Sequence, residues 1–287
     1  MAVISPARAH ALRMRWRTGT ATRRVLPDFV VIGGQRCGST SLYTILCGHP
    51  QVMAASHKEL HFFDMNSRRG SDFYRRYFPL RNHLDRRARR IGKRVVSGEA
   101  SPYYLFHPAV PERLAATLPD ARLIALLRDP VDRAYSQYQL STRDGHETLS
   151  FEDALDAEAE RLAGVEERLA ADPEFRSPAH RHQSYQLRGL YLDQLQRWWR
   201  HVPREHLLVL RSEDMFADTG AVYDRAVEFL GLEPHRRADF EARNRVAYSG
   251  MPAPARRRLQ DLYAEPNQRL EEALGRRLEW QRPGDAC

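Results

Sequence analysis

The run DFVVIGG, Asp28 to Gly34, constrains the fold more than any other segment of the chain. It is a short apolar stretch that ends in glycines, and it reads as a buried strand. A helix is predicted immediately afterwards, from Ser39 to Cys47, with Gly48-His49-Pro50 as its stop. Further strands are expected at residues 95–97, at 122–127 (RLIALL) and at 207–210 (LLVL). Helical patterns fill residues 131–140, 151–162, 185–199, 222–230 and 254–274. Strands that alternate with helices imply an α/β fold whose parallel sheet is covered on both faces. Ligands of such sheets bind beyond the carboxyl ends of the strands. Residues 163–183, with Pro173 and Pro178, read as an excursion on the surface.

The turn between the first strand and its helix is Gly33-Gly34-Gln35-Arg36-Cys37-Gly38-Ser39-Thr40. It nearly matches the triphosphate-binding pattern G-x-x-x-x-G-K-[ST]. Backbone N–H groups at such a junction converge on an anion. The lysine position is Ser39, however, and that lysine is what reaches the outer phosphates of a nucleoside triphosphate. The loop therefore suits a smaller 5′-anion, with Arg36 as its cation.

A second anion site is predicted at the end of RLIALL. Arg128-Asp129-Pro130 leads into a helix, so Arg128 sits at the carboxyl edge of the sheet, and Ser136 lies about two turns further on. A guanidinium with a hydroxyl makes a clamp for a phosphate monoester.

With 287 residues, of which 42% are hydrophobic, the chain can bury one substantial core, and one domain over residues 28–287 is expected. Residues 1–27 read as a disordered basic leader. Net charge is +8, which favours anionic partners. Arginines concentrate in the first 24 residues and in residues 81–94, runs that are ordinarily solvated. No apolar stretch approaches the ~20 residues of a membrane span, and no secretory signal is evident. Cys37, Cys47 and Cys287 form neither a disulfide framework nor a metal cluster, so a cytoplasmic location and no metal are expected.

Two motifs, IGGQRCGSTSLYTIL and LLRDPVDRAYSQY, together resemble the 5′-phosphosulfate loop and the 3′-phosphate motif of the sulfotransferase superfamily. KELHFFD (Lys58 to Asp64), SPYYLFHPAVPERL, YLDQLQRWW and LYAEPNQRLEEALG are similar to the heparan sulfate N- and 3-O-sulfotransferase type. The resemblance runs from about Asp28 to Trp280. It implies a doubly wound, P-loop-like fold and metal-free transfer from 3′-phosphoadenosine 5′-phosphosulfate to a hydroxyl or amine of a small-molecule or carbohydrate acceptor. By position, Arg36, Cys37, Gly38, Ser39 and Thr40 would hold the 5′-phosphosulfate, and Arg128 and Ser136 the 3′-phosphate. Glu59 matches the family's base and His61 a second active-site residue. Arg243 or Arg245 matches a basic C-terminal loop over the nucleotide. Ala100 stands where the heparan enzymes carry a lysine, after the residue equivalent to Glu99, and their C-terminal cysteine pair is missing.

In-line sulfuryl transfer resembles phosphoryl transfer, where positioning and electrostatic stabilisation dominate. The acceptor must also lose a proton, which calls for a base such as Glu59. If Glu59 and His61 lie on an extended stretch they share a face. A P-loop kinase or NTPase is the alternative, but it lacks the lysine and has only Asp129 for magnesium. A nucleic-acid-binding role is disfavoured by the loop motifs, and Trp16 is the single Phe, Trp or Tyr within the arginine runs.

Overall fold

The computed structural model describes residues 5–235 and 250–280. In chain order its helices are α1 Pro6–Gly19, α2 Ser39–Cys47, α3 Gly70–Arg75, α4 Arg81–Ile91, α5 Val110–Thr117, α6 Pro130–Arg143 and α7 Phe151–Leu162. They continue as α8 Val165–Ala171, α9 Pro178–His182, α10 Tyr191–Trp199, α11 Ser212–Ala217, α12 Thr219–Phe229 and α13 Ala253–Leu274. The strands are β1 Phe29–Gly33, β2 Val52–Ala54, β3 Val96–Ala100, β4 Arg122–Leu127 and β5 Leu207–Arg211. They form one parallel sheet in the order β2-β3-β1-β4-β5, flanked by helices as expected.

Period-2 alternation divides the apolar strands between two cores. Val30, Ile32, Leu123, Ala125, Leu127 and Val209 point to one face, where Leu114 of α5 and Leu195 and Trp198 of α10 cover them. Phe29, Val31, Ile124, Leu126 and Leu210 point to the other, under Leu42 and Leu46 of α2 and Val222 and Tyr223 of α12. Each fully buried side chain of this kind contributes about 1.5–3 kcal/mol. Both faces being covered, β1 and β4 read as continuous apolar runs.

Four local features differ from the sequence reading. β2 was not expected, since three residues are too few for a period to register. β3 continues through Gly98 and Glu99 to Ala100, past the expected end at Ser97. Glu99 can occupy a buried strand position because Tyr74 Oη donates to it at 2.6 Å and Ser101 Oγ at 2.9 Å. The helix expected over residues 185–199 begins only at Tyr191. The Glu158 carboxylate takes the backbone N–H groups of Tyr185, Gln186 and Leu187, at 2.9, 2.6 and 2.8 Å, and holds them in a separate turn.

The fourth departure is the leader expected over residues 1–27, which is structured from α1 onward. Arg17 donates to the carbonyls of Arg76, Tyr77 and Phe78 at 2.6, 2.8 and 3.3 Å. Arg24, 2% exposed, donates to Phe78 O at 2.7 Å and stacks over Trp16. Arginine in this segment therefore satisfies backbone carbonyls as well as facing solvent. Among the described residues no helix is long and apolar enough to cross a membrane.

Candidate active site

The loop after β1 is shaped by two glycines. A Cβ on Gly33 would stand 2.6 Å from Leu105 Cβ and 2.9 Å from Pro102 O, so only glycine lets the strand end pass there. Gly38 caps α2 with φ +88°, a left-handed conformation that suits glycine. Arg36, at φ +68°, holds a less populated version of the same turn. The loop brings Ser39 and Thr40 to the first turn of α2, where N–H groups lack intrahelical partners and the dipole favours an anion. The Cys37 thiol is buried in the core beneath and burial pushes it up to about 11. The expectation that Cys37 holds the anion is thereby limited to its backbone, whose carbonyl already accepts from Ser212 Oγ at 2.7 Å.

The second predicted anion site lies against the first. Arg36 Nε donates to Ser136 Oγ at 2.9 Å across 100 residues of chain. Arg128 follows β4 and its Nη1 donates to Arg36 O at 3.4 Å, while its own carbonyl accepts from Tyr191 Oη at 2.9 Å. Asp129 caps α6 by accepting from Val131 N at 2.8 Å. Burial and the neighbouring Asp132 raise the Asp129 carboxyl to about 6. Asp129 is thus committed to the backbone. Arg245, and the alternative Arg243, lie outside the described residues.

Glu59 is placed by the end of β3: its N–H donates to Ala100 O at 2.8 Å. Glu59 and His61 do not share an extended stretch as anticipated. Both adopt positive φ, +58° and +48°, and the turn they make still brings Glu59 Oε2 to 3.7 Å from His61 Nε2. Non-glycine residues in that region carry local strain, which clusters at functional sites. Lys58 Nζ donates to Glu59 Oε1 at 2.7 Å and to Thr40 Oγ1 at 2.8 Å. The adjacent His61 lowers Glu59 most; burial opposes it and Lys58 adds to it, leaving the carboxyl at about 2.

His61 Nδ1 meets Asp64 Oδ2 at 2.6 Å, and Arg181 Nη2 approaches Nε2 at 3.0 Å. Burial alone would lower His61, but the bond to Asp64 and the nearby Glu59 carboxylate raise it to about 9. The guanidinium contact pulls the other way, because a donor at 3.0 Å needs a lone pair on Nε2. With Arg181 seated as seen, the ring is neutral and protonated at Nδ1; with Arg181 displaced, the two carboxylates favour the cation.

A cavity of about 270 Å³ opens beside this cluster, lined by Asp64, Tyr103, His107, Arg176, Arg181 and His182 among others. Burial holds His107 near 3 and His182 near 4, so both imidazoles are neutral at physiological pH. α8 and α9, in the excursion after Ala163, supply part of this wall. Arg188, buried and lowered to about 9 by desolvation, ties the two halves together. It donates to Gln35 Oε1 in the loop after β1 and to the carbonyls of His180 and Arg181, the latter two at 2.6 and 3.0 Å.

Of the residues named from the sequence, Arg36 is hydrogen-bonded to both Ser136 and Arg128, Gly38, Ser39 and Thr40 begin α2 just after it, and Lys58 ties Thr40 to Glu59, with His61 beside that carboxylate. Lys58 and Asp64 were quoted within KELHFFD without a role, and their neighbours in the motif signal them. Arg181 and Arg188 were missed, and no local pattern marks them.

Residues 26–246 match the sulfotransferase domain family. The chain is 32% identical over 217 residues to the human bifunctional heparan sulfate N-deacetylase/N-sulfotransferase 3, covering 73% of this chain and 23% of that protein. It is 31% identical over 219 residues to the human heparan sulfate glucosamine 3-O-sulfotransferase 6, covering 74% of this chain and 54% of the relative. A crystal structure of a sulfotransferase from Alicyclobacillus acidocaldarius superposes with a TM-score of 0.66 at 30% identity, over 88% of this chain and 97% of that one.

Proposed function

This chain belongs to the sulfotransferase family, and from that premise we propose that it moves a sulfuryl group from 3′-phosphoadenosine 5′-phosphosulfate to a hydroxyl or amine of a small-molecule or carbohydrate acceptor. One observation carries the reading: Lys58 Nζ bridges Thr40 of the anion loop and Glu59, so the cradle for the leaving group and the base share a cation. The residues fit the donor. The α2 N-terminus with Arg36 and Thr40 suits the 5′-phosphosulfate, and Arg128 with Ser136 suits the 3′-phosphate. The 3′-group would replace the contact that Arg36 and Ser136 make with each other.

The acceptor enters from the cavity at Asp64 and Arg181. Glu59, ionised throughout the physiological range, takes the acceptor proton as the new O–S or N–S bond forms and the bond from sulfur to the 5′-phosphate oxygen breaks. Arg36, Lys58 and the loop N–H groups offset the charge that develops on that phosphate. Asp64 fixes the His61 tautomer, and Lys58 holds Glu59 in place. The chemistry as written needs no metal, and the free thiols Cys37 and Cys47 fit a cytoplasmic, reducing setting. The kinase alternative has no observation in its favour, since Ser39 occupies the lysine position.

The decisive experiment is Glu59→Gln, which keeps shape and loses basicity. Turnover with labelled donor should fall ~10²-fold or more while affinity for adenosine 3′,5′-bisphosphate stays unchanged. His61→Ala should cost less. Near-normal turnover in Glu59→Gln would remove it as the base; lost nucleotide affinity would make it structural.

A further inference from the structure

The outward face of α1 has no place in sulfuryl transfer. Leu12 is 55% exposed and Trp16 53%, the two most exposed large apolar side chains among the described residues. At 3.6 residues per turn they lie about 40° apart, on one stripe. Arg15 falls about 60° to one side of Leu12 and Arg13 about 60° to the other side of Trp16, and both arginines are exposed. Met14 and Arg17 occupy the opposite side, where Met14 packs against the core and Arg17 grips the carbonyls of residues 76–78. The helix is thus fixed by one face and presents an apolar stripe between cations on the other. Further along the chain, α4 adds the exposed Arg86, Arg89 and Arg90, none of which forms an ion pair among the described residues. It is joined to the α1 region through the bridge between Arg24 and Leu80.

A solvated basic helix needs no exposed leucine and tryptophan, and a nucleic-acid arm would contact phosphates without them. An indole beside an aliphatic side chain, flanked by guanidiniums, matches the boundary between lipid headgroups and acyl chains. Charge complementarity selects the lipid: anionic headgroups attract each basic residue near them. We propose that the outward face of α1, centred on Leu12 and Trp16 and flanked by Arg13 and Arg15, docks the protein on an anionic membrane surface. The contact path leads on to the catalytic cluster. Tyr77, whose carbonyl Arg17 holds, also accepts from Ser56 N at 2.8 Å and meets the His57 ring edge-on, one residue before Lys58.

The test uses the full chain and phosphatidylcholine vesicles with and without phosphatidylserine, read by cosedimentation and tryptophan emission. Trp198 and Trp280 are buried and Trp199 partly so, which leaves Trp16 as the reporter. The wild type should partition onto phosphatidylserine vesicles about tenfold or more over neutral ones, with a blue shift, and added salt should weaken the binding. Arg13→Glu/Arg15→Glu should lose about 25-fold or more, at roughly fivefold per basic residue. Leu12→Ser/Trp16→Ser should weaken binding and abolish the shift. Trp16 stacks on the buried Arg24, so the single change Leu12→Ser, at a side chain outside that stack, guards against an effect on folding. Melting temperatures without vesicles check the same point. Absent or equal partitioning onto the two vesicle types would overturn the proposal. So would variants at Leu12 that bind like wild type while duplex DNA competes, which would assign the cationic face to nucleic acid.

Discussion

A carboxyl group shut away from water costs more ionised than protonated, and Glu99 at the end of β3 is such a group. Burial, opposed by hydrogen bonds from Tyr74 and Ser101, raises it from 4.5 to about 7. Between those values the folded chain holds a proton that the unfolded chain releases, so stability from this residue is full below 4.5 and falls as pH rises through 7. Glu99→Gln should therefore unfold with a flatter pH profile, and at pH 8 it should recover part of a penalty on the order of 2–3 kcal/mol. Urea denaturation of both proteins across that range would show it; parallel profiles would mean that Glu99 does not titrate. At this scale the motif KELHFFD was readable because Lys58, Glu59, His61 and Asp64 act on one another within a single turn of chain. Arg181 and Arg188 were not, because their partners His61 and Gln35 lie 120 and 153 residues away.

Among the elements, α1 shows what charge counting hides. The arginines of α1 and of the turn after it were read as solvated, yet Arg24 gives the buried Phe78 carbonyl its shorter hydrogen bond, beside the one from Arg17. Arg24→Met keeps the stem and removes the donor, leaving that carbonyl without its 2.7 Å partner. The loss should be about 1–3 kcal/mol and appear as a lower melting temperature with nucleotide affinity retained. An unchanged melting temperature would return the segment to a dispensable leader. The long apolar strands β1 and β4 and the helix α2 were legible at the residue level, since hydrophobic run and turn chemistry agree there. β2 and the end of β3 were not: pairing with a neighbour makes a strand of Gly98 and Glu99, and no local propensity does so.

For the whole molecule, the site exists only where α2, α6, the β3 edge and the excursion meet, so a donor-site ligand should stabilise all of them together. Adenosine 3′,5′-bisphosphate should raise the melting temperature with a chelator present, by mass action on the folded state. Adenosine 5′-phosphate should do much less, as it leaves Arg128 and Ser136 without a phosphate. Equal shifts from both nucleotides would withdraw those residues from the 3′-site. The strand order carries a consequence for synthesis as well. β1 sits in the middle of the sheet, and its neighbour β4 begins at Arg122, which pairs with Phe29. At ribosomal rates of roughly 5–20 residues per second, the most apolar strand of the chain spends about 5–20 s outside the exit tunnel before that partner is made. During that interval its edge is open to any other nascent strand, and crowded expression should select against this chain through aggregation of the growing polypeptide, long before the finished enzyme meets a substrate.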